Sequence, residues 1–547
     1  MQQEVGAALD VEELNGSFPN SPTHPSTTRN DPYQGEGTCE DPYIVDWSSG
    51  DPHNPYNWSK RRKWLITSQL AIGTWTVSFS SSAYSGGLNY TQQDLHVSEE
   101  VAVLGISLYV LGFGLGPLLF APMSEMYGRR PIFLVTLSIF TLLHIGGALS
   151  PNIATLLACR LLSGIFGSSP LTNAGGAITD IWNARERGLA TALYSTAPWL
   201  GPVTGPIVGG FVSQANIPHL RWRLSFWLMF IASAFTLIFG FFVTPETYAP
   251  VLLRRRAKRL YEESGRSVQY ISRYDLTRST SFKEIMWINL SRPFRFLFTE
   301  PIVTLLAIYI CIAYSTLYAF FAAFPIVFQQ HRHFDPGNGG LAFLGVGLGT
   351  IIGTCMTPVQ NRLYWRAMDR SETGRAPPEA RLYMAMAAGF LIPIGLFWFA
   401  WTSQPSVHWI FPILAGVPFG TGVAQVMQGL TAYLMDAYHI YFASAIAATI
   451  VLRSIGACAF PLFSPAMFAA LGDQWAISVF GFLALACTPM PLLFYRYGRF
   501  IRGKSRFAYK EKTGDPIGVG LKSPAETVAD TSLEKGGEKR IEVAQNC

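Results

Sequence analysis

Residues 101–123 read VAVLGISLYVLGFGLGPLLFAPM, and residues 124–131 continue SEMYGRRP. The first run carries no charge and is long enough to cross a hydrocarbon layer, which takes about 20 mostly apolar residues. A lone run of that length in lipid must satisfy its own backbone groups, so it is a helix. It stops at a glycine followed by two arginines. Outward from this segment the same alternation of apolar run and polar break recurs in both directions. Twelve runs meet the criterion: 64–84, 101–123, 131–149, 153–178, 189–212, 224–243, 302–328, 341–363, 383–401, 409–433, 442–468 and 475–495. They predict an all-α membrane protein with twelve transmembrane helices.

Positive charge lies on alternate connections. One set holds Lys60, Arg61, Arg62 and Lys63, then Arg129 and Arg130, then Arg185 and Arg187. The same set holds a dense run between Arg254 and Arg295, then Arg362, Arg366, Arg370, Arg375 and Arg381, and the tail from Arg496. The other set keeps only Arg221, Arg223 and Arg332. Cytoplasmic loops carry the Lys/Arg excess. The basic set is therefore expected inside, and an even span count puts both termini in the cytoplasm.

Composition agrees, with 49% hydrophobic and 14% charged residues. The net charge of +6 comes from the inner connections, where it meets anionic lipid, and does not point to nucleic acid. The seven cysteines are scattered, without disulfide or metal spacing. The polar first sixty residues leave no cleavable signal peptide, so the first span is expected to direct insertion. Asn89-Tyr90-Thr91 forms a glycosylation sequon in the first outer loop. His331-Arg332-His333 has no third ligand nearby and reads as a solvated outer loop.

The layout is a polar, disordered tail over 1–57, six spans over 58–243, a cytoplasmic connection over 244–300, six spans over 301–497, and a polar cytoplasmic tail over 498–547. Six-loop-six suggests two pseudo-symmetric six-helix bundles with a substrate path between them. A trace of duplication supports this: LGFGLG at 111–116 is echoed by LGVGLG at 344–349, at equivalent places in the two halves. Gly112 and Gly116 share a helix face and permit close approach of a neighbour.

Four features point to mechanism. In the turn after span 2, Glu125 stands on one side of Gly128 and Arg129 and Arg130 on the other, with Asp180 at the end of span 4 as a partner. Together they can form a charge lock at the inner surface. Span 5 carries Gly201-Pro202 and Gly205-Pro206 four residues apart, followed by Gly209-Gly210. Each proline removes a backbone donor and each glycine admits a neighbour, giving a bent, closely packed helix. In span 7, Tyr314, Tyr318, Phe321 and Pro325 recur on one face. Facing a cavity, they would stack on flat ligands. Gln425 and Gln428 in span 10 are expected to face the same cavity, since amides in lipid would be unsatisfied.

The motifs resemble those of the major facilitator superfamily, and within it the fungal twelve-span drug:proton antiporters. Glu125 to Arg130 resembles the loop 2–3 motif, departing with Ala121 for the usual Gly, Glu125 for the usual Asp and Met126 for a basic residue. Arg160-Leu161-Leu162-Ser163-Gly164 resembles the span 4 motif, and Gly201 to Gly210 the antiporter signature of span 5. Asp51 to Ser59, Pro245-Glu246-Thr247-Tyr248-Ala249-Pro250, and Leu452-Arg453-Ser454 with Phe460-Pro461-Leu462-Phe463 resemble the fungal subfamily. The likeness covers about residues 41–500, leaving the two tails.

The resemblance implies a rocker-switch exporter of small amphipathic organic molecules, such as drugs, toxins or secondary metabolites, driven by protons and working as a monomer in the plasma or vacuolar membrane. It implies a proton-coupling role for Arg160 and a structural one for Arg453, capping carbonyls freed by Pro461 and Pro465. No span interior holds Asp or Glu, so no carboxylate is placed to carry the proton, and His144 is a lone, packed candidate. Alternatives are a transporter of a polyamine or organic acid, or a non-transporting sensor. Polyamines would want acids in the cavity. No cofactor, metal or catalytic constellation is indicated, so an enzyme is not expected.

Overall fold

A computed structural model describes residues 33–508, apart from 184–185, 216, 218–219, 277–281, 372–375, 439–440 and 506. Most of both tails, Arg185 and Arg375 therefore lie outside the described residues. The first half contains α1 (Lys60–Ser82), α2 (Leu88–Leu95), α3 (Glu99–Tyr127), α4 (Arg129–Ala148), α5 (Ile153–Ile181), α6 (Arg187–Ser213) and α7 (Arg221–Val243). The connection holds α8 (Ala249–Glu263) and α9 (Phe282–Thr299). The second half contains α10 (Pro301–Phe324), α11 (Pro336–Gly340), α12 (Phe343–Cys355), α13 (Thr357–Asp369), α14 (Tyr383–Gly389), α15 (Leu391–Thr402), α16 (Ile410–Tyr438), α17 (Phe442–Cys487) and α18 (Met490–Lys504). Span 8 is shared by α12 and α13, and span 9 by α14 and α15. Gly472, at φ 74°, breaks α17 between spans 11 and 12.

Among the described residues, nine helical stretches are individually long and apolar enough to cross a membrane, and one of them, Phe442–Lys504, contains two spans. The spans that fall short are α1 and α6. Ser and Thr dilute α1, and Gly and Pro dilute α6. These two helices pack on each other, so their polarity faces protein rather than lipid. On α7 the opposite holds. Ile231, Phe235, Ile238 and Phe242 form one stripe, each at least 60% exposed, as a lipid-facing surface requires.

The repeated glycines occupy equivalent contacts. A Cβ on Gly112 or Gly116 of α3 would strike the backbone of α5 at Leu161 and Ile165. A Cβ on Gly345 or Gly349 of α12 would strike the backbone of α16 at Ile413 and Val417. The glycine between them reaches across the bundles: Gly114 meets Ser454 of α17, and Gly347 meets Val203 of α6. Span 2 thus treats spans 4 and 11 as span 8 treats spans 10 and 5. That is the two-fold pseudo-symmetry of a duplicated bundle.

Two expected boundaries change. Residues 33–57 are not a disordered tail. β1 (Tyr43–Val45) pairs in parallel with β2 (Tyr270–Ser272) of the central connection. Val45 is buried with Leu253 and Ala257 of α8. Arg256 Nη1 bonds Asp51 Oδ2 at 2.6 Å, and Arg273 Nη1 bonds Asp46 Oδ2 at 2.7 Å. The apolar period is too short to notice, and the partners come from more than 200 residues away. At the other end, α18 runs past residue 497 to Lys504 because its last turn is anchored. Arg502, 4% exposed, pairs with the buried Glu379 at 2.9 Å.

The candidate transport path and its charge locks

The two bundles meet where α1 and α6 face α10, α11 and α12, and where α3 faces α17. At the end opposite the basic connections they are in contact. Gly210 lies against Pro336 and Gly337, and Gly340 against Pro206 and Ile207. Between Ser85 and Gly86 on one side and Phe321 and Pro325 on the other, a gap of about 20 Å³ remains, room for roughly one water. Asn89 borders this gap and is solvent-exposed on α2.

The Gly-Pro pairs of α6 explain how α6 gets this close. A Cβ on Gly201 would lie 2.6 Å from the backbone nitrogen of Phe79, and one on Gly205 would collide with Ser82 Oγ. Gly201, Gly205 and Gly209 thus form a seam on α1. Pro206 and Gly210, on a neighbouring face, meet the other bundle.

Deeper along α1, a line of polar contacts crosses between the bundles. Arg160 is 1% exposed. Its Nε donates to the Gly105 carbonyl at 2.8 Å, its Nη1 to Ser80 at 2.7 Å and its Nη2 to Ser81 at 2.8 Å. Its guanidinium carbon is 4.3 Å from the ring centroid of Tyr109. Ser81 Oγ lies 3.2 Å from the Tyr318 hydroxyl, and the Tyr314 hydroxyl donates to Tyr318 at 3.4 Å. His144 is packed edge-on against Phe140, and neither ring nitrogen has a hydrogen-bond partner among the described residues.

The aromatic face of span 7 points into the junction of the bundles. Tyr318 and Phe321 are buried there, and Phe321 stacks on Phe343 at 5.3 Å. Tyr314 is half-buried and meets Trp199 of α6 edge to face at 6.1 Å. Beyond Phe324 the helix widens into a π-turn over Pro325–Gln330.

The glutamines do not join these aromatics. Gln425 Nε2 donates to the Gly353 carbonyl, and Gln428 Oε1 accepts from Thr357 Oγ1 at 2.7 Å. The glycine-lined seam between α12 and α16 leaves the Gly353 carbonyl within reach of Gln425, and Gln428 is held by the hydroxyl of Thr357 on α13. Arg453 also departs from expectation. Among the described residues it donates no hydrogen bond to the carbonyls of Ala457 and Pro461, which Pro461 and Pro465 leave free. It rests over Tyr314, 4.8 Å from the ring centroid. Arg332, read as part of a solvated loop, binds the carbonyls of Thr402, Ser403, Gln404 and Val407, and His331 pairs with Asp473.

At the basic end, the Glu125–Arg130 turn forms a compact lock. Gly128 has φ 108°, a conformation that side-chain-bearing residues rarely adopt. The turn presents the Arg129 and Arg130 backbone N–H groups to Glu246, at 2.9 Å and 3.3 Å. The Arg129 side chain reaches Asp180 at 3.5 Å, Glu125 at 4.0 Å and Ser124 Oγ at 2.7 Å. Thr247 Oγ1 donates to Asp180 at 3.3 Å. Three of the four predicted charges, Glu125, Arg129 and Asp180, are thus brought together, while the Arg130 guanidinium turns to the Phe241 carbonyl.

Glu246 is the residue that sequence reasoning missed. It lies in the Pro245-Glu246-Thr247 motif, but nothing local shows that a carboxylate after span 6 folds back onto the turn after span 2. The second half carries a counterpart. Arg381, before span 9, bonds Asp436, at the end of span 10, at 2.7 Å. Tyr364 Oη donates to the same oxygen at 3.2 Å.

Two pseudo-equivalent helical bundles, packed on each other along a glycine-lined junction and each carrying a charge lock at one end, define a membrane transporter of the two-bundle type. The chain belongs to the Major Facilitator Superfamily, whose family model matches residues 70–461. It is 46% identical over 540 residues to "Major facilitator superfamily multidrug transporter mdrA" of Aspergillus fumigatus, covering 94% of this chain and 87% of that protein. It is 49% identical over 480 residues to "MFS-type efflux pump MFS2" of Trichophyton rubrum, covering 88% and 80%. It is 40% identical over 513 residues to "Citrinin biosynthesis cluster MFS transporter mrr1" of Monascus ruber, covering 93% and 100%. Among solved structures, the xylose transporter XylE from E. coli matches with TM-score 0.56 and 16% identity, covering 80% of this chain and 99% of that one. At that identity the likeness concerns the fold alone.

Proposed function

We propose that this transporter exports small amphipathic organic molecules, such as drugs, toxins or fungal secondary metabolites, by proton antiport with a rocking motion of the two bundles. The observation that carries the reading is the junction itself. Trp199, Tyr314, Tyr318 and Phe321 offer flat apolar surface where the bundles meet, and α1, α6, α10 and the first limb of α17 bring no acid into it. Relatives at 46% and 49% identity bear the names multidrug transporter and efflux pump.

The basic connections face the cytoplasm with both termini, and the exposed Asn89 is glycosylated on the far side. The protein works as a monomer in the plasma membrane, with lipid, protons and substrate as its partners. Substrate contacts fall to Tyr314, Tyr318 and Phe321. Gln425 and Gln428 line the path only if α12 and α16 part during the cycle. Arg160 links proton movement to the junction through Ser81 and Tyr318. Gating belongs to Glu125, Gly128, Arg129, Arg130 and Asp180, together with Gly201, Pro202, Gly205 and Pro206.

The test is flux from vesicles containing the purified protein, under an imposed proton gradient and against a panel of lipophilic compounds. Efflux that ceases on adding a protonophore supports antiport. Unchanged efflux rules it out.

A further inference from the structure

Each bundle carries one arginine well inside its helices, and the two are treated differently. Arg160 has three backbone carbonyls arranged around its fork. Arg453 has none. It follows Phe442, the first residue of α17, by eleven positions, which at 1.5 Å per residue is about 16 Å, near the middle of a bilayer core. Its Nε is buried without a partner, and no ion pair to it exists among the described residues. Its neighbours fix where it points. Ser454 packs on Gly114 of α3, and the Leu452 carbonyl accepts from Cys311 Sγ at 3.4 Å, so this turn of α17 is wedged between α3 and α10. The guanidinium is directed to the junction, over the half-buried ring of Tyr314, with Trp199 at that ring's edge.

A cation at this depth normally pairs with a partner or faces a polar cavity that binds one. Here no described residue forms an ion pair with it: its contact is the Tyr314 ring, and α3, which packs on this turn, carries acids only in its first and last turns. α1, α6, α10 and the first limb of α17 contain no Asp or Glu. We propose that Arg453 is the docking point for the carboxylate of an aromatic substrate, whose ring lies against Trp199 and Tyr314. The planar fork suits a carboxylate, with two parallel N–H donors for its two oxygens. This deepens the export reading and rests on it: the preferred cargo within the amphipathic class is the aromatic monocarboxylate.

The experiment uses the full-length protein in vesicles and matched pairs of aromatic probes, 1-naphthoate with 1-naphthamide and 2-naphthoate with 2-naphthamide. The parent should move the acids faster than the amides, and the acids should raise its melting temperature more at equal concentration. Arg453→Gln should lower acid flux at least tenfold at subsaturating concentration and leave amide flux within about twofold. Arg453→Lys should keep part of the acid flux with a raised KM, because it retains the charge without the fork. Flux is expressed per folded molecule, and the parent's acid-over-amide preference stands as a test even if the Gln variant does not fold. Equal acid flux in parent and Arg453→Gln overturns the proposal. Equal loss of acids and amides also overturns it, by assigning Arg453 to the transport cycle. A parent that moves amides but not acids rejects the carboxylate site alone. A parent that moves none of the probes, and none of the lipophilic panel, rejects the export reading with it.

Discussion

Ser81 accepts the Arg160 guanidinium at its carbonyl, at 2.8 Å, and places its own hydroxyl 3.2 Å from that of Tyr318. One residue of α1 therefore joins the buried cation of the first bundle to the aromatic face of the second. Movement of one bundle against the other must break or remake the Ser81–Tyr318 contact, while the Arg160 bonds stay within the first bundle.

Arg160→Ala removes three buried charge-assisted hydrogen bonds. Each such bond contributes about 1.5–3 kcal/mol, so the variant should melt at lower temperature and reach the membrane in smaller amounts. Through the Ser81 link, proton-dependent flux per folded molecule should also fall about tenfold, a rise of ~1.4 kcal/mol in the barrier. Arg160→Lys should restore stability only in part, since one ammonium cannot replace the fork. Full coupled flux in the folded Ala variant would reduce Arg160 to a brace.

Glu246 holds the Arg129 and Arg130 backbone amides, and Asp180 holds the Arg129 side chain. Glu246→Gln and Arg129→Ala should each slow transport about tenfold at equal surface level. The double variant should lose far less than the sum, because residues in one network are not additive. Strict additivity in flux assays would show that the two act separately. The lock is assembled here while the far ends of the bundles are in contact, so it is not confined to a conformation open on that side.

Gly205→Leu forces a side chain into Ser82 and Phe79 across the α1–α6 seam. Overpacking of this kind costs about 1–3 kcal/mol or more. Lower thermal stability and weak flux are expected, whereas Gly503→Ala, where a Cβ meets nothing within 4 Å, should remain near parent stability. Scanning fluorimetry on the detergent-solubilised variants distinguishes them.

Asp51 couples the N-terminal segment to α8. Burial pushes its carboxyl pKa up, but the His53 backbone N–H and the Arg256 fork outweigh that and hold it below its ordinary value of 3.8. The docked state therefore favours the charged carboxylate. Its contribution is complete above that ordinary value and is lost as pH falls through the lowered one. Protease cleavage within residues 33–57 should stay constant from about pH 7 to pH 5 and rise only below about pH 4. Asp51→Asn should raise cleavage at neutral pH and flatten the profile.

Much of this protein could be read without coordinates. Twelve apolar runs, alternating basic connections and the repeated LGFGLG and LGVGLG segments determined the helices, their number and the two-half plan, because lipid lets a spanning backbone do little else. The turn at Gly128 and the seam at Gly201 and Gly205 were legible for the same reason: backbone conformation and close approach restrict which residues fit.

Tertiary structure alone decided the partners. The bonds of Arg160 to Ser80 and Gly105, the return of Glu246 to Gly128, the docking of Tyr43 on Tyr270 and the capture of Gln425 by Gly353 join residues from 55 to 227 positions apart. A polar side chain in a helix announces that it needs a partner. Which partner it meets depends on how the bundles pack, and so does whether, as at Arg453, it meets an aromatic ring among the described residues and no carboxylate.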